Sequence, residues 1–379
     1  MVQPFPYIRV SGEPRERGRQ YGRQARERIH KGIGHYTAQI ARHSLSTRDI
    51  AGLVNDYLPI IAKFDESYVD EMRGIAEGAE TTFEDVALLN ARTEILKLAE
   101  KPQLREGLRA SRQVPDGCTA AVIMPKATKS GRLIHALNWD WKAECAETGV
   151  VLHVVRDDAP SVLTFTEAGA LARAGLNSTG IAITGNYLES ERDYREVGVP
   201  LALIRRKALD QDNLALAMRA VYETRKSASN NMIITHAGGV AIDFECAPDE
   251  TFQIHPNEQG LLVHANHWVS PIALSKLQER GVGNMPSTLY RDLRARDLLT
   301  PKLGSVTVAD VREAFLDDFQ SPYSLCQPER PNSKGVVTAT VAMVIMEPEL
   351  GVMEVAPLPS RGTEPVTYSL AQGEIRKAG

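Results

Sequence analysis

No Cys-x-x-Cys pair occurs in this chain: its four cysteines, Cys118, Cys145, Cys246 and Cys326, are scattered over 379 residues. That spacing removes zinc-ribbon and thioredoxin-type sites and fits free thiols in a reducing compartment. No apolar run approaches the ~20 residues that cross a bilayer. The opening Met1-Val2-Gln3-Pro4-Phe5-Pro6-Tyr7-Ile8-Arg9 has no basic-then-apolar secretory layout. A cytoplasmic protein without a membrane partner is therefore expected. The formal charge of −4 supplies no basic excess for nucleic acid. No glycine-rich phosphate cradle, internal repeat or low-complexity tract is present. What remains is a chain of ordinary apolar content, long enough for one large domain or two ordinary ones.

Its texture changes midway. From about Arg15 to Ile40, Gly18, Gly22, Ile29, Ile33 and Tyr36 fall at helical spacings among charges of alternating sign. A second helical pattern spans about Asp49 to Ala79, and Thr82 reads as the N-cap of a third. Glu100 to Pro115 is polar and charged, an exposed connector in which a cut would tear no core. Beyond it the pattern is mostly strands. Thr119–Met124 and Leu133–Trp141 flank a turn-forming segment and predict a hairpin. Strands are also predicted over Val150–Arg156, Val162–Thr166, Ala170–Leu176, Ile181–Tyr187, Asn231–His236, Val240–Cys246, Thr251–Ile254, Gly260–His264, Val336–Met346 and Val352–Val355. Helices are predicted over Pro200–Leu209, Asn213–Tyr222, Ser287–Leu299 and Val308–Phe319. Strands in blocks, separated by helical blocks, point to stacked antiparallel sheets under helices.

Asp116-Gly117-Cys118-Thr119 sits where the two textures meet. A cut of the Gly117–Cys118 bond would give Cys118 both a thiol and a free α-amine, whose unperturbed pKa is near 8. The amine is then a base built into the nucleophile's own residue. Glycine before the cysteine has no Cβ to block attack on its carbonyl. The same pair also suits a loop running into a strand with a small buried thiol, and these four residues alone leave both readings open.

Gly12 to Gly18, Glu71 to Ala79, Leu89 to Glu94, Gly117-Cys118-Thr119, Leu137-Asn138-Trp139-Asp140, Glu167-Ala168-Gly169, Gly175 to Ala182, Val263 to His267 and Pro322 to Cys326 are short motifs. Their order and spacing resemble the acyl-coenzyme A:6-aminopenicillanic acid acyltransferase family of the N-terminal nucleophile (Ntn) hydrolases. The resemblance covers nearly the whole chain. It implies an α+β fold, a four-layer αββα sandwich, made as a precursor that cleaves itself before Cys118. Residues 1–117 would form a helical N-terminal fragment and 118–379 the fragment carrying the catalytic core, both staying in one globular unit.

The resemblance implies a nucleophilic role for Cys118 and a catalytic one for Asp140. The predicted hairpin independently brings Asp140 near the junction. It further implies oxyanion donors at Asn186 and Asn266. Nearness in sequence nominates Trp139, Trp141, Tyr187 and Trp268 as an aromatic wall for an apolar acyl group. His264 and His267, three apart on a strand, would point to opposite faces, so no metal is expected. Cys145, Cys246 and Cys326 read as buried thiols. Lys334 stands near the point where the family's penicillin acyltransferase carries an arginine. Lysine lacks the planar fork that clamps carboxylates, which speaks against carboxylate-bearing substrates.

Three functions remain at this stage. The first is hydrolysis of a small N-acyl amide through a Cys118 acyl-enzyme, with no cofactor. The second is transfer of an acyl group from a coenzyme A thioester to an amine through the same intermediate. The third is a non-catalytic binding protein on the same fold. A homo-oligomer is compatible with each.

Overall fold

The computed structural model describes residues 2–42, 47–100, 117–331, 335–371 and 375–377. The expected connector beyond Glu100 and the site candidate Lys334 lie outside them.

Five helices precede the junction: α1 (Pro14–Ala41), α2 (Thr47–Phe64), α3 (Glu66–Ala79), α4 (Phe83–Asn90) and α5 (Arg92–Glu100). The run read as one helix from Asp49 to Ala79 is two. Asp65 adopts an extended backbone and its carboxylate accepts the Ser67 N–H at 2.9 Å, starting α3 afresh. Thr82 caps α4 through a reciprocal capping box with Asp85.

The α1–α3 crossing depends on glycine on both sides. A Cβ on Gly18 would lie 2.1 Å from the Glu71 carbonyl oxygen, and one on Gly74 would lie 2.0 Å from that of Arg15. Both contacts are backbone, so neither can yield cheaply. Buried beside this crossing, Glu71 receives Arg17 at 2.6 Å and both terminal nitrogens of Arg206 at 3.0 Å. We expect Gly74→Ala to lower stability by about 1–3 kcal/mol in denaturant titrations, as overpacking does. An unchanged midpoint would mean that the two helices are free to part.

The first sheet runs β1 (Tyr7–Ser11), β4 (Gly149–Val155), β5 (Val162–Glu167), β6 (Ala174–Asn177), β7 (Ile181–Tyr187), β8 (Asn230–His236), β9 (Val240–Cys246) and β10 (Thr251–Ile254). The second runs β11 (Leu261–His264), β2 (Cys118–Ile123), β3 (Ile134–Lys142), β13 (Val337–Glu347), β14 (Val352–Pro357), β15 (Val366–Ser369) and β16 (Ile375–Lys377), with β12 (Arg330–Pro331) on β13. The β1–β4 pair is parallel and the other ladders are antiparallel.

Alternation along β2 and β3 separates two packing interfaces. Ala120, Val122, Leu137 and Trp139 join the core shared with the first sheet, including Phe165 and Ile183. Ala121, Ile123 and Ala136 pack instead with Ala295, Leu299 and Phe315 of α10 (Ser287–Leu299) and α11 (Val308–Phe315). Helices α1–α5, with α6 (Leu201–Leu209) and α7 (Leu214–Tyr222), cover the outer face of the first sheet. Two short helices, α8 (Pro271–Lys276) and α9 (Gly281–Asn284), lead into α10. The layers are therefore helix, sheet, sheet, helix: the expected αββα sandwich. Residues before the junction supply an edge strand and a helical face to the common core.

Candidate active site

Cys118 opens β2, opposite Trp139 of β3. Strand pairing continues one residue back, where the Asp140 N–H donates to the Gly117 carbonyl at 2.8 Å. The carbonyl that a Cys118 thiol would attack is thus already held by a donor. The Cys118 N–H donates to Asn266 Oδ1 at 2.6 Å. Both sides of the Gly117–Cys118 peptide are fixed by residues singled out from the sequence.

The carboxylate of Asp140 accepts Thr340 Oγ1–H at 2.6 Å and Gln327 Nε2–H at 2.9 Å. A register shift between Thr340 and Ala342 lies directly opposite Asp140 and Trp139. Such a bulge re-aims side chains, and here the Thr340 hydroxyl meets Asp140.

Arg291, fully buried on α10, was missed in the sequence and completes the junction. It donates to the Cys118 carbonyl at 2.7 Å, to Thr119 Oγ1 at 2.8 Å and to Asn266 Oδ1 at 2.9 Å. Gly117 has no room for a side chain: a Cβ there would lie 2.9 Å from Arg291 Nη2, 3.0 Å from Met285 Sδ and 3.1 Å from Asp140 Oδ2. We expect Gly117→Ala to fold but to accumulate uncut, because the neighbours that hold the junction must shift. Wild-type band ratios on a denaturing gel would contradict this.

Asn186 has a different place from the one expected. Its amide nitrogen donates to the carbonyls of His264 at 2.8 Å and Ala265 at 3.0 Å. In this structure both hydrogens are used at the end of β11, two and one residues before Asn266. Asn266 itself is anchored by Thr288 Oγ1, which accepts its backbone N–H at 2.7 Å, and donates from Nδ2 to the Tyr187 carbonyl at 2.9 Å.

The His264 and His267 rings lie side by side, 6.4 Å apart, rather than on opposite faces. His267 is past the end of β11, where strand alternation no longer applies. His264 pairs with Glu245 at 2.8 Å, and the Asp243 and Glu245 carboxylates raise it to about 9 against the opposing effect of burial. Among the described residues, no group of three or more His, Cys, Asp or Glu could hold a metal ion.

The thiol side of Cys118 faces a small cavity of about 30 Å³ lined by Thr93, Asp140, Trp141, Arg173, Gly185, Tyr187, Leu201 and Arg205. A larger concavity of about 730 Å³ lies elsewhere, among Glu27, Lys31, Glu144 and Arg361, and Cys118 does not line it. Two of the nominated wall residues fail. Trp268 is buried in a separate cluster with Phe252 and Leu277, its indole N–H donating to the Glu189 carbonyl at 3.0 Å. Trp139 lies beneath the cavity, with the Arg173 guanidinium 4.1 Å above its ring.

The wall is therefore not simply apolar. Burial, and then the charge of Arg173, pull Arg205 down to about 9. Burial raises the Cys118 thiol, while Arg173 and Arg291 work against that rise. Burial prevails, so the thiol is held above its ordinary value despite the two cations. One sequence signal for the wall existed: Arg205, Arg206 and Lys207 are three consecutive cations between the apolar ends of the run Leu201 to Leu209, more than one helix face can all send to solvent.

A family model described as acyl-coenzyme A:6-aminopenicillanic acid acyl-transferase matches residues 127–356, more than half of the chain. That match begins after the junction. An Emericella nidulans protein, acyl-coenzyme A:6-aminopenicillanic-acid-acyltransferase 40 kDa form, is 26% identical over 326 residues, covering 85% of this chain and 84% of that one. A conjugated bile acid hydrolase variant from Clostridium perfringens superposes with a TM-score of 0.48 at 13% identity, over 69% of this chain and 96% of that one. Penicillin V acylase from Agrobacterium tumefaciens gives 0.46 at 13% identity, over 67% and 87%. The match of that family model to more than half of the chain makes it an enzyme of the acyl-coenzyme A:6-aminopenicillanic acid acyl-transferase family.

Proposed function

We propose that the chain cuts itself between Gly117 and Cys118 and then hydrolyses the amide bond of a small N-acyl compound through a Cys118 thioester. The observation that carries this reading is the held junction: the Gly117 carbonyl on the Asp140 N–H and the Cys118 N–H on Asn266 Oδ1.

In the first reaction Cys118 Sγ attacks the Gly117 carbonyl carbon. The C–N bond breaks, the amine takes the thiol proton, and Gly117 becomes a thioester on Cys118. Water hydrolyses it, leaving a carboxylate on Gly117 and a free thiol and α-amine on Cys118. In the second reaction the α-amine removes the thiol proton as Sγ attacks the substrate carbonyl. The departing amine takes that proton, and water resolves the acyl-enzyme. Asp140, through its backbone N–H, and Asn266 stabilise charge and orient the amine, and Arg291 fixes Asn266.

Transfer of an acyl group from a coenzyme A thioester to an amine is the second reading, favoured by what the Emericella nidulans relative is called. It uses the same acyl-enzyme, resolved by an amine instead of water. The small cavity beside Cys118 favours hydrolysis, since water needs no site of its own.

The test has two parts. N-terminal sequencing should find a fragment that begins at Cys118 and co-purifies with residues 1–117, because the early helices share the core. A protein wholly uncut at this bond sinks the first half. The cleaved enzyme is then given an amide in water, and separately the corresponding acyl-coenzyme A with amine. Synthesis outrunning hydrolysis at matched concentrations would reverse the ranking.

A further inference from the structure

Among the described residues, three of the six buried arginines pair with a carboxylate, and two others, Arg291 and Arg330, donate to neutral acceptors. Arg17 and Arg206 share Glu71, and Arg92 pairs with Glu167. Arg205 is next to Arg206 in α6, is only 5% exposed, and has no hydrogen-bond or ion-pair partner among the described residues. Its Nε is buried without an acceptor, and so is that of Arg173. Arg173 lies over the Trp139 ring and, among the described residues, has no ion pair, though the Glu167 charge acts on it from farther off. A buried charge without a partner is unfavourable enough that natural folds rarely keep one without a use.

Both guanidinium groups line the cavity that Cys118 lines. Both also line an adjoining cavity of about 20 Å³ with Arg92, Thr93 and Glu94. The carboxylate whose charge acts on Arg205 is Glu94. It accepts the Leu201 N–H at 2.8 Å at the start of α6, and burial pushes it above the usual carboxylate range. It makes no ion pair within 4 Å of either arginine. Gly185 of β7 lets Arg205 lie against the strand: a Cβ there would sit 2.8 Å from Arg205 Nη2.

We propose that Arg173 and Arg205 form an anion subsite beside the nucleophile, and that the substrate carries a carboxylate close to its scissile carbonyl. The identification of the substrate rests on the Cys118 acyl-enzyme proposed above; the subsite itself does not. Two planar forks converging from β6's approach and from α6 suit the two oxygens of a carboxylate. Two adjoining cavities of about 30 and 20 Å³ suit a group of that size better than a coenzyme's phosphates. The new Gly117 carboxylate is a poor rival occupant, because Gly117 lies against Arg291, Met285 and Asp140. This proposal runs against the expectation drawn from Lys334, that carboxylate-bearing substrates are disfavoured.

The carboxylate could belong to either half of the substrate. One arm of the test is N-acetylglycine against N-acetylglycinamide, with the charge on the amine side. The other is glutaramic acid against glutaramide, with the charge on the acyl side. Calorimetric titration of the purified, processed enzyme should show at least one acid binding about tenfold or more tightly than its neutral isostere. The arm that shows it identifies the half. Arg205→Met and Arg173→Met should each collapse that ratio towards one, and Arg205→Lys should recover part of it. Without ligand, Arg205→Met should melt at or above the wild-type temperature, since an unpartnered charge has been removed.

Equal binding of acids and amides, or no binding of any of the four, overturns the proposal. So does a marked fall in melting temperature for Arg205→Met, which would reveal a structural role. Acid-selective binding without acyl-enzyme formation would leave the subsite standing and remove the hydrolase reading. Acyl-enzyme formation without acid selectivity would do the reverse.

Discussion

Cys118→Ala is expected to give a single uncut chain of 41.6 kDa and a loss of amide turnover of at least about a thousandfold, the scale on which removing a covalent nucleophile acts. In the proposed mechanism both losses follow from one atom, because there the thiol attacks first Gly117 and then the substrate. The fold should survive. Cys118 begins β2 and faces a cavity, so removing its sulfur deepens an existing space rather than opening one in a packed core. Cys118→Ser should cut slowly, since a hydroxyl is the weaker nucleophile at neutral pH. Denaturing gels over days, with intact mass measurement, separate the three outcomes. A Cys118→Ala protein that still yields a fragment starting at residue 118 would mean that another group, or a contaminating protease, makes the cut.

The strands around Cys118 were legible because their patterns are local. Thr119–Met124 and Leu133–Trp141 fall on β2 and β3 to within a residue or so, and the hairpin they form brings Asp140 to the junction. Asn266 was reachable through its family-like flanks. The edge strand Tyr7–Ser11 was not read as a strand, because it is a short segment after two prolines and pairs with β4, far away in sequence. The break at Asp65 was hidden by a helical pattern that continues on both sides of one capping carboxylate. Arg291, Arg173 and Arg205 were missed for a related reason. A charged residue in a helix or loop reads as solvated unless something reveals that its face is buried. Only the tertiary fold brings α10, α6 and the approach to β6 around Cys118. Asn186 shows the limit of transferring roles by motif: the residue is near the site, but its donors are used on the backbone of β11's end.

Asn266→Ala is expected to slow turnover by about a hundredfold, on the order of 3 kcal/mol, with a much smaller change in substrate binding. The structure adds a consequence that a simple oxyanion role would not have. Asn266 Oδ1 accepts both the Cys118 N–H and Arg291 Nη2, so the alanine leaves two buried donors without an acceptor. Self-cleavage should slow as well, and kinetics must be measured on the processed fraction alone. Asn266→Asp separates the two functions of the side chain. Aspartate keeps an oxygen for Cys118 and Arg291 but loses the Nδ2 donor. If holding the new α-amine is what matters, Asn266→Asp should process and turn over better than Asn266→Ala. If donation to the oxyanion is what matters, both variants should process to different extents yet show similarly low kcat. Near-normal kcat in processed Asn266→Ala would remove Asn266 from the reaction altogether and leave it a strut between β11 and the start of β2.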